Sequence, residues 1–181
     1  NLHQRVKSLC YSLMDDASGN RYGKMLIRDY YFNKMPNTIK LAFEHKYNLD
    51  ADFIKYNLYK QANPNAYLAK FAEFMFLNKD SEYIQKVIKR GFRIFTENMI
   101  MQYAEELKTV PVHFAGSIAY FSQNEIKEVA EEFGFKVGNF VDISFTKEEM
   151  TIIRIIEDCE TFDEVLQAAE ELYLFCKNEK E

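Results

Sequence analysis

Thr109-Val110-Pro111-Val112-His113-Phe114-Ala115-Gly116-Ser117-Ile118-Ala119 is the stretch on which the fold class turns. Its apolar residues abandon the three-and-four spacing of the preceding chain and run between a polar break and Gly116. A short apolar run bounded in this way reads as a buried strand. Pro111 has no backbone N–H, so it suits the first residues of that strand and no central ladder position. Gly116-Ser117-Ile118-Ala119 then reads as a small-residue turn opening a helix. Ser122-x-x-Glu125 has the form of a capping box, with Ile126, Val129, Ala130 and Phe133 as the apolar stripe behind it. Gly134 is placed to end that helix, and residues 136–141 read as a second strand. The expected unit is strand–helix–strand with a right-handed crossover.

Upstream of this unit the chain reads as helix. Residues 5–16 are mixed, and Leu9, Tyr11 and Leu13 alternate as a short strand would. A polar turn, Asp15-Asp16-Ala17-Ser18-Gly19-Asn20, follows. Tyr22, Met25, Leu26 and Tyr30 then share a helical face. Pro36 marks a break, after which Asn37 can cap a helix carrying Ile39, Leu41, Ala42 and Phe43. Residues 51–59 read as helix with Phe53, Ile54 and Leu58 inward. Asn63-Pro64 pairs an N-cap with proline at the first helical position, predicting a helix to about Leu77 over Leu68, Phe71, Ala72 and Met75. Residues 81–108 form the longest periodic segment, with Ile84, Ile88, Phe95, Met99, Tyr103 and Leu107 in one row at steps of four and seven and Val87 and Phe92 widening the stripe. Gly91 lies in that row. A glycine there costs about 1 kcal/mol against alanine, so close helix packing is the expected reason.

The chain of 181 residues carries 28 acidic and 23 basic side chains. From Asp142 onward stand 12 acidic and 4 basic residues, which leaves 16 acidic and 19 basic before it. That mild surplus lacks the clustering of a nucleic-acid binder, and the acidic end would repel phosphate backbones, so nucleic acid is not an expected partner. No apolar run reaches the ~18 residues of a membrane span. Cys10, Cys159 and Cys176, like His3, His45 and His113, are widely dispersed, so no metal site is read and a reducing cytoplasm is the simplest setting. Thr146-x-x-Glu149 and Thr161-x-x-Glu164 are two further capping boxes, predicting an acidic helical hairpin over residues 142–181.

Two passages carry a family resemblance. Leu13-Met14-Asp15-Asp16-Ala17-Ser18-Gly19-Asn20-Arg21-Tyr22-Gly23-Lys24 is similar to the L-G-D-E-G-S-G-x-x-x-G-K signature of N-acetylglucosamine-kinase-like proteins. These belong with the BadF/BadG/BcrA/BcrD-type ATPases of the actin-like ATPase superfamily. Residues 111–119 resemble that family's adenosine motif, P-V-x-F-x-G-S-I-A, and the spacing between the passages and residues 63–71 also fit. The resemblance covers residues 5–141. It implies a helix-rich α/β fold, an incomplete ribonuclease-H-like second lobe followed by the α-hairpin. It also implies that Gly116, Ser117, Ile118 and Ala119 approach the nucleotide, and that Asp15 and Asp16 approach the hydroxyls of an amino sugar. The implied cofactors are ATP and Mg²⁺, held weakly or not at all here.

The departures bear on function. Met14 and Ala17 stand where the family has glycines, and side chains there would obstruct a turn needing positive φ or close ligand approach. Asp16 replaces a glutamate. No G-x-G-x-x-G, Walker A or D-G-G-type loop occurs in residues 1–181, and the family's first lobe is not among them. The expectation is a nucleotide-binding lobe that is not catalytic alone. The alternative is a non-enzymatic helical interaction protein derived from that lobe. Either way an uncovered sheet is expected, to be closed by the hairpin, a second copy or a missing lobe.

Overall fold

The structure, a computed structural model, describes residues 4–7 and 9–142. In chain order it contains α1 (Gly19–Tyr31), α2 (Asn37–Lys46), α3 (Ala51–Tyr59), α4 (Pro64–Ala69), α5 (Glu73–Leu77), α6 (Glu82–Asn98), β1 (Val112–Ala115), α7 (Ser117–Phe121), α8 (Gln123–Phe133) and β2 (Val137–Val141). It is a helix-rich α/β fold with a small parallel sheet, in which β1 pairs with β2. The hairpin read over residues 142–181 lies, apart from Asp142, outside the described residues.

Ser18 opens α1, its hydroxyl accepting the Arg21 N–H at 3.1 Å. Tyr22, Met25 and Leu26 then face the core as their spacing predicts. The Tyr22 hydroxyl, fully buried, donates to the Ile88 carbonyl at 2.8 Å, and burial pushes its pKa far up. Elsewhere in the core Phe43, Tyr47, Phe71 and Phe74 form an aromatic cluster in tilted and edge-on contacts. Offset and edge-on geometry favours the ring quadrupoles. Tyr47 sits deep enough in the cluster that its hydroxyl is pushed up to about 12 by burial, with Glu73 adding to the shift.

Several local expectations change. Residues 9–13 form no strand: Leu9 and Leu13 are exposed, and the Leu13 and Met14 amides both donate to the Cys10 carbonyl. Alternation alone makes no strand without a neighbour to complete its ladder. Asn37 does not cap α2; Pro36 takes the cap position and makes no side-chain bond. Leu41 and Phe53 point outward, while Ile39, Phe43 and Ile54 supply the buried faces of α2 and α3. Asp50, which the sequence reading passed over, caps α3 by accepting the Asp52 and Phe53 amides. Asn63 is left-handed at φ 59° and makes no side-chain cap bond, though Pro64 does begin α4. The helix read as continuous to Leu77 passes through a 3₁₀ turn at Lys70–Ala72, with Leu68, Phe71, Ala72 and Met75 buried as expected.

The long periodic segment is also shorter than its apolar stripe. α6 ends at Asn98, and residues Ile100–Tyr103 and Glu106–Lys108 continue as 3₁₀ turns. Asparagine competes with the helical backbone for hydrogen bonds, and the Asn98 amide is engaged elsewhere, donating to Asp16 Oδ2 at 2.8 Å. Within α6, Ile84, Val87, Ile88 and Phe92 are buried. Lys89 with Glu128 and Arg93 with Glu132 tie α6 to α8 through two ion pairs spaced one turn apart on each helix. The Arg93 guanidinium holds the Glu132 carboxyl below its ordinary pKa.

The strand–helix–strand reading is met by β1, α7, α8 and β2. The register runs Val112 to Val137 and Phe114 to Phe140, so β2 carries one extra residue between the paired positions. His113 answers that bulge, its Nδ1 accepting the Asn139 N–H at 3.0 Å while its ring lies against Gly138. Gly134 ends α8 at φ 75°. The Ser122–Glu125 capping box does not form. An N-cap needs extended backbone, but Ser122 sits at φ −115°, ψ 26° because it also closes α7, its N–H donating to Ala119. Its hydroxyl is buried without a partner, and Glu125 is buried with Lys79 Nζ at 3.9 Å.

Candidate functional site

Both signature passages, about a hundred residues apart in sequence, line one cavity of about 340 Å³. One wall is Asp16-Ala17-Ser18-Gly19, the turn into α1. The opposite wall is Phe114-Ala115-Gly116-Ser117-Ile118-Ala119, the end of β1 and the start of α7. Phe92 and Phe95 of α6 complete it. The cavity therefore lies beyond the carboxyl end of β1, where open parallel sheets place their ligands.

Gly116 is fixed by its backbone. It stands at φ 110°, ψ 156°, a region that L side chains do not tolerate. A Cβ built there would meet nothing within 4 Å, so the demand is conformational and the space above it is open. The Gly116 N–H donates to the Val141 carbonyl at 3.0 Å, which pins the turn to the end of β2. The first amides of α7 have no intrahelical acceptor by construction, so the turn presents donors beside an aromatic wall.

The facing turn is built by tethering. Asp16 accepts from Asn98 and stands 3.7 Å from Arg21 Nε. A carboxylate at this end of α1 is favourable against the helix dipole. Asp15 does not line the cavity; its carboxylate accepts from the buried Asn20 side chain at 3.0 Å. The structure thus brings Asp16 together with Gly116, Ser117, Ile118 and Ala119 and leaves Asp15 on the turn's other side. Ser18, Gly19, Phe92, Phe95 and Asn98 were missed as site residues. The two phenylalanines gave only a core signal, and Asn98 gave none until its distance to Asp16 was known.

Of the two positions where glycines were expected, only Ala17 is conformationally demanding. It stands at φ 61°, whereas Met14 is not at positive φ. A left-handed non-glycine residue costs about 1–2 kcal/mol, and replacing alanine by glycine returns about 0.4–1 kcal/mol of that through the unfolded chain. Ala17→Gly is accordingly expected to stabilise the protein by roughly 0.5–1 kcal/mol. An unchanged or lowered urea midpoint would contradict the strained turn.

No family model and no curated protein matches the chain. Among solved structures it is similar to a protein from Porphyromonas gingivalis described as a "Putative N-acetylglucosamine Kinase", with TM-score 0.69 and 26% identity over 76% of this chain and 48% of that one. The likeness supports a kinase-like relationship. This chain spans about half the length of that structure. Among the described residues no helix is long and apolar enough to cross a membrane, and no three His, Cys, Asp or Glu side chains are grouped to hold a metal ion.

Proposed function

We propose that this chain contributes a nucleotide-binding lobe to an N-acetylglucosamine-kinase-like ATPase of the actin-like type, and that it does not phosphorylate sugar alone. The observation that carries the reading is the convergence of Asp16 and the Gly116–Ala119 turn on one cavity. Its residues fit the adenosine side of a nucleotide: aromatic rings flank it, the glycine turn leaves room for close approach, and amides offer donors. They do not fit Mg²⁺ by themselves, since Asp16 is the one carboxylate among the described residues lining the cavity and already accepts from Asn98. Phosphoryl transfer works by positioning metal, phosphates and nucleophile together. The phosphate loops and catalytic carboxylate would come from a first lobe outside residues 1–181, which would also close the open sheet and hold the amino sugar against Asp16.

Two observations favour the second reading, a helical interaction protein without enzymatic activity. Ala17 keeps a side chain on a turn whose backbone demands glycine, and Asp15 is turned to Asn20. Calorimetry with ATP·Mg²⁺, with and without N-acetylglucosamine, separates the two. The lobe reading expects saturable heat at submillimolar to millimolar ATP. Absence of heat at millimolar ligand would remove nucleotide binding and leave the interaction reading standing.

A further inference from the structure

Another cavity among the described residues lies on a different flank of α1 and is not used by the proposed function. It measures about 720 Å³, and Arg21, Lys24 and Arg28 line it beside Tyr11, Leu58 and Tyr59. Their spacing of three and four places all three cations on one side of the helix. No carboxylate lines this cavity among the described residues. Lys24 Nζ reaches the Tyr11 carbonyl at 3.4 Å and lies over the Tyr11 ring, and the Arg28 guanidinium lies over Phe32.

The arrangement opposes helix stability. Lys24 and Arg28 are like charges one turn apart, which destabilises a helix. Arg21 sits in the first turn, where the helix dipole disfavours a cation. Its Nε is shut off from solvent with no hydrogen-bond partner, and Asp16 Oδ1, 3.7 Å away, is beyond bonding distance. An uncompensated donor of this sort is costly unless something accepts from it.

A second, smaller cavity of about 160 Å³ shares Arg21, Met25 and Arg28 with the first and adds Lys34 and Arg90. The acid lining it, Asp29, is already engaged by Arg90 at 2.8 Å and Tyr83 at 3.0 Å. Arg21 and Arg28 therefore stand between a pocket of phosphate size and a larger one with aromatic and aliphatic walls. Guanidinium forks match phosphate oxygens in pairs, and a dianion suits three cations better than a carboxylate does.

We infer that this flank of α1 binds an organic phosphate, its phosphoryl group held by Arg21, Lys24 and Arg28 and its apolar ring or chain seated against Leu58 and Tyr59. The site shares no lining residue with the cavity at Gly116.

The test titrates the full chain with 1-naphthyl phosphate, 1-naphthol and inorganic phosphate, followed by tyrosine fluorescence and by amide shifts of residues 21–28. Binding of the aryl phosphate is expected to be saturable, at least tenfold tighter than either fragment, and weakened by added salt. Lys24→Gln/Arg28→Gln removes the like-charge pair, so it should keep its helical circular dichroism while losing tenfold or more in affinity. Lys108→Gln, which removes an exposed cation that does not line this cavity, should leave the affinity unchanged. Absence of saturation at millimolar aryl phosphate, equal affinity for naphthol, or undiminished binding by the double variant would each overturn the inference.

Discussion

Gly23→Ala is expected to lower stability by about 3 kcal/mol or more, the upper end of what overpacking does. A Cβ on Gly23 would lie 1.9 Å from the Leu68 carbonyl oxygen and 2.7 Å from its carbon. These are backbone atoms of α4, so no rotamer change relieves the clash and α1 must move away from α4. Against a total stability of about 5–15 kcal/mol, such a loss leaves little margin. The effect reaches the candidate site, because the turn into α1, residues 16–19, is one wall of the cavity. A urea midpoint indistinguishable from that of the parent would mean that the two helices do not approach this closely.

Gly91→Ala is the second large effect, with an expected cost of about 2–3 kcal/mol. Here the added methyl meets a side chain, at 2.4 Å from Tyr22 Cε1 and 2.5 Å from its hydroxyl oxygen. A ring tip can often swing aside, but this one is fully buried and its hydroxyl is bonded to the Ile88 carbonyl. The collision predicts strong non-additivity. In a Tyr22→Ala background the room left by the ring accommodates the methyl, so the double variant should be more stable than the sum of the single losses allows. Additive losses would show that Gly91 is required for something other than the passage of Tyr22.

Gly91 also shows what the sequence could and could not disclose. A glycine inside a strong apolar stripe announces close packing, yet nothing in the sequence says that Tyr22 is what it admits. Gly23 was legible only as part of a signature, since its role depends on where α4 passes. The parallel pair β1 and β2, with α7 and α8 between, followed from the change of period at residues 109–115 and from Gly134. The failures share a cause. Leu9, Tyr11 and Leu13 alternate without a neighbouring strand, and Ser122 could not cap α8 because it was already closing α7. Local pattern specifies an element only where tertiary neighbours agree with it.

The candidate site was legible in halves. The Asp16 turn and the Gly116 turn were each visible as motifs, and the resemblance implied that they belong together. Their shared cavity, and the part of Phe92, Phe95 and Asn98 in shaping it, needed three-dimensional placement. Asp15 illustrates the reverse case: a carboxylate next to a site residue in sequence can spend its oxygens elsewhere, here on Asn20.

The central claim is that two distant turns form one nucleotide-sized cavity, and amide chemical-shift mapping of the full chain with ATP·Mg²⁺ tests it most directly. Concerted, saturable shifts at residues 16–19 and 116–119, with smaller ones along 92–95, are the predicted result. Shifts confined to one turn, or none at millimolar nucleotide, would contradict it.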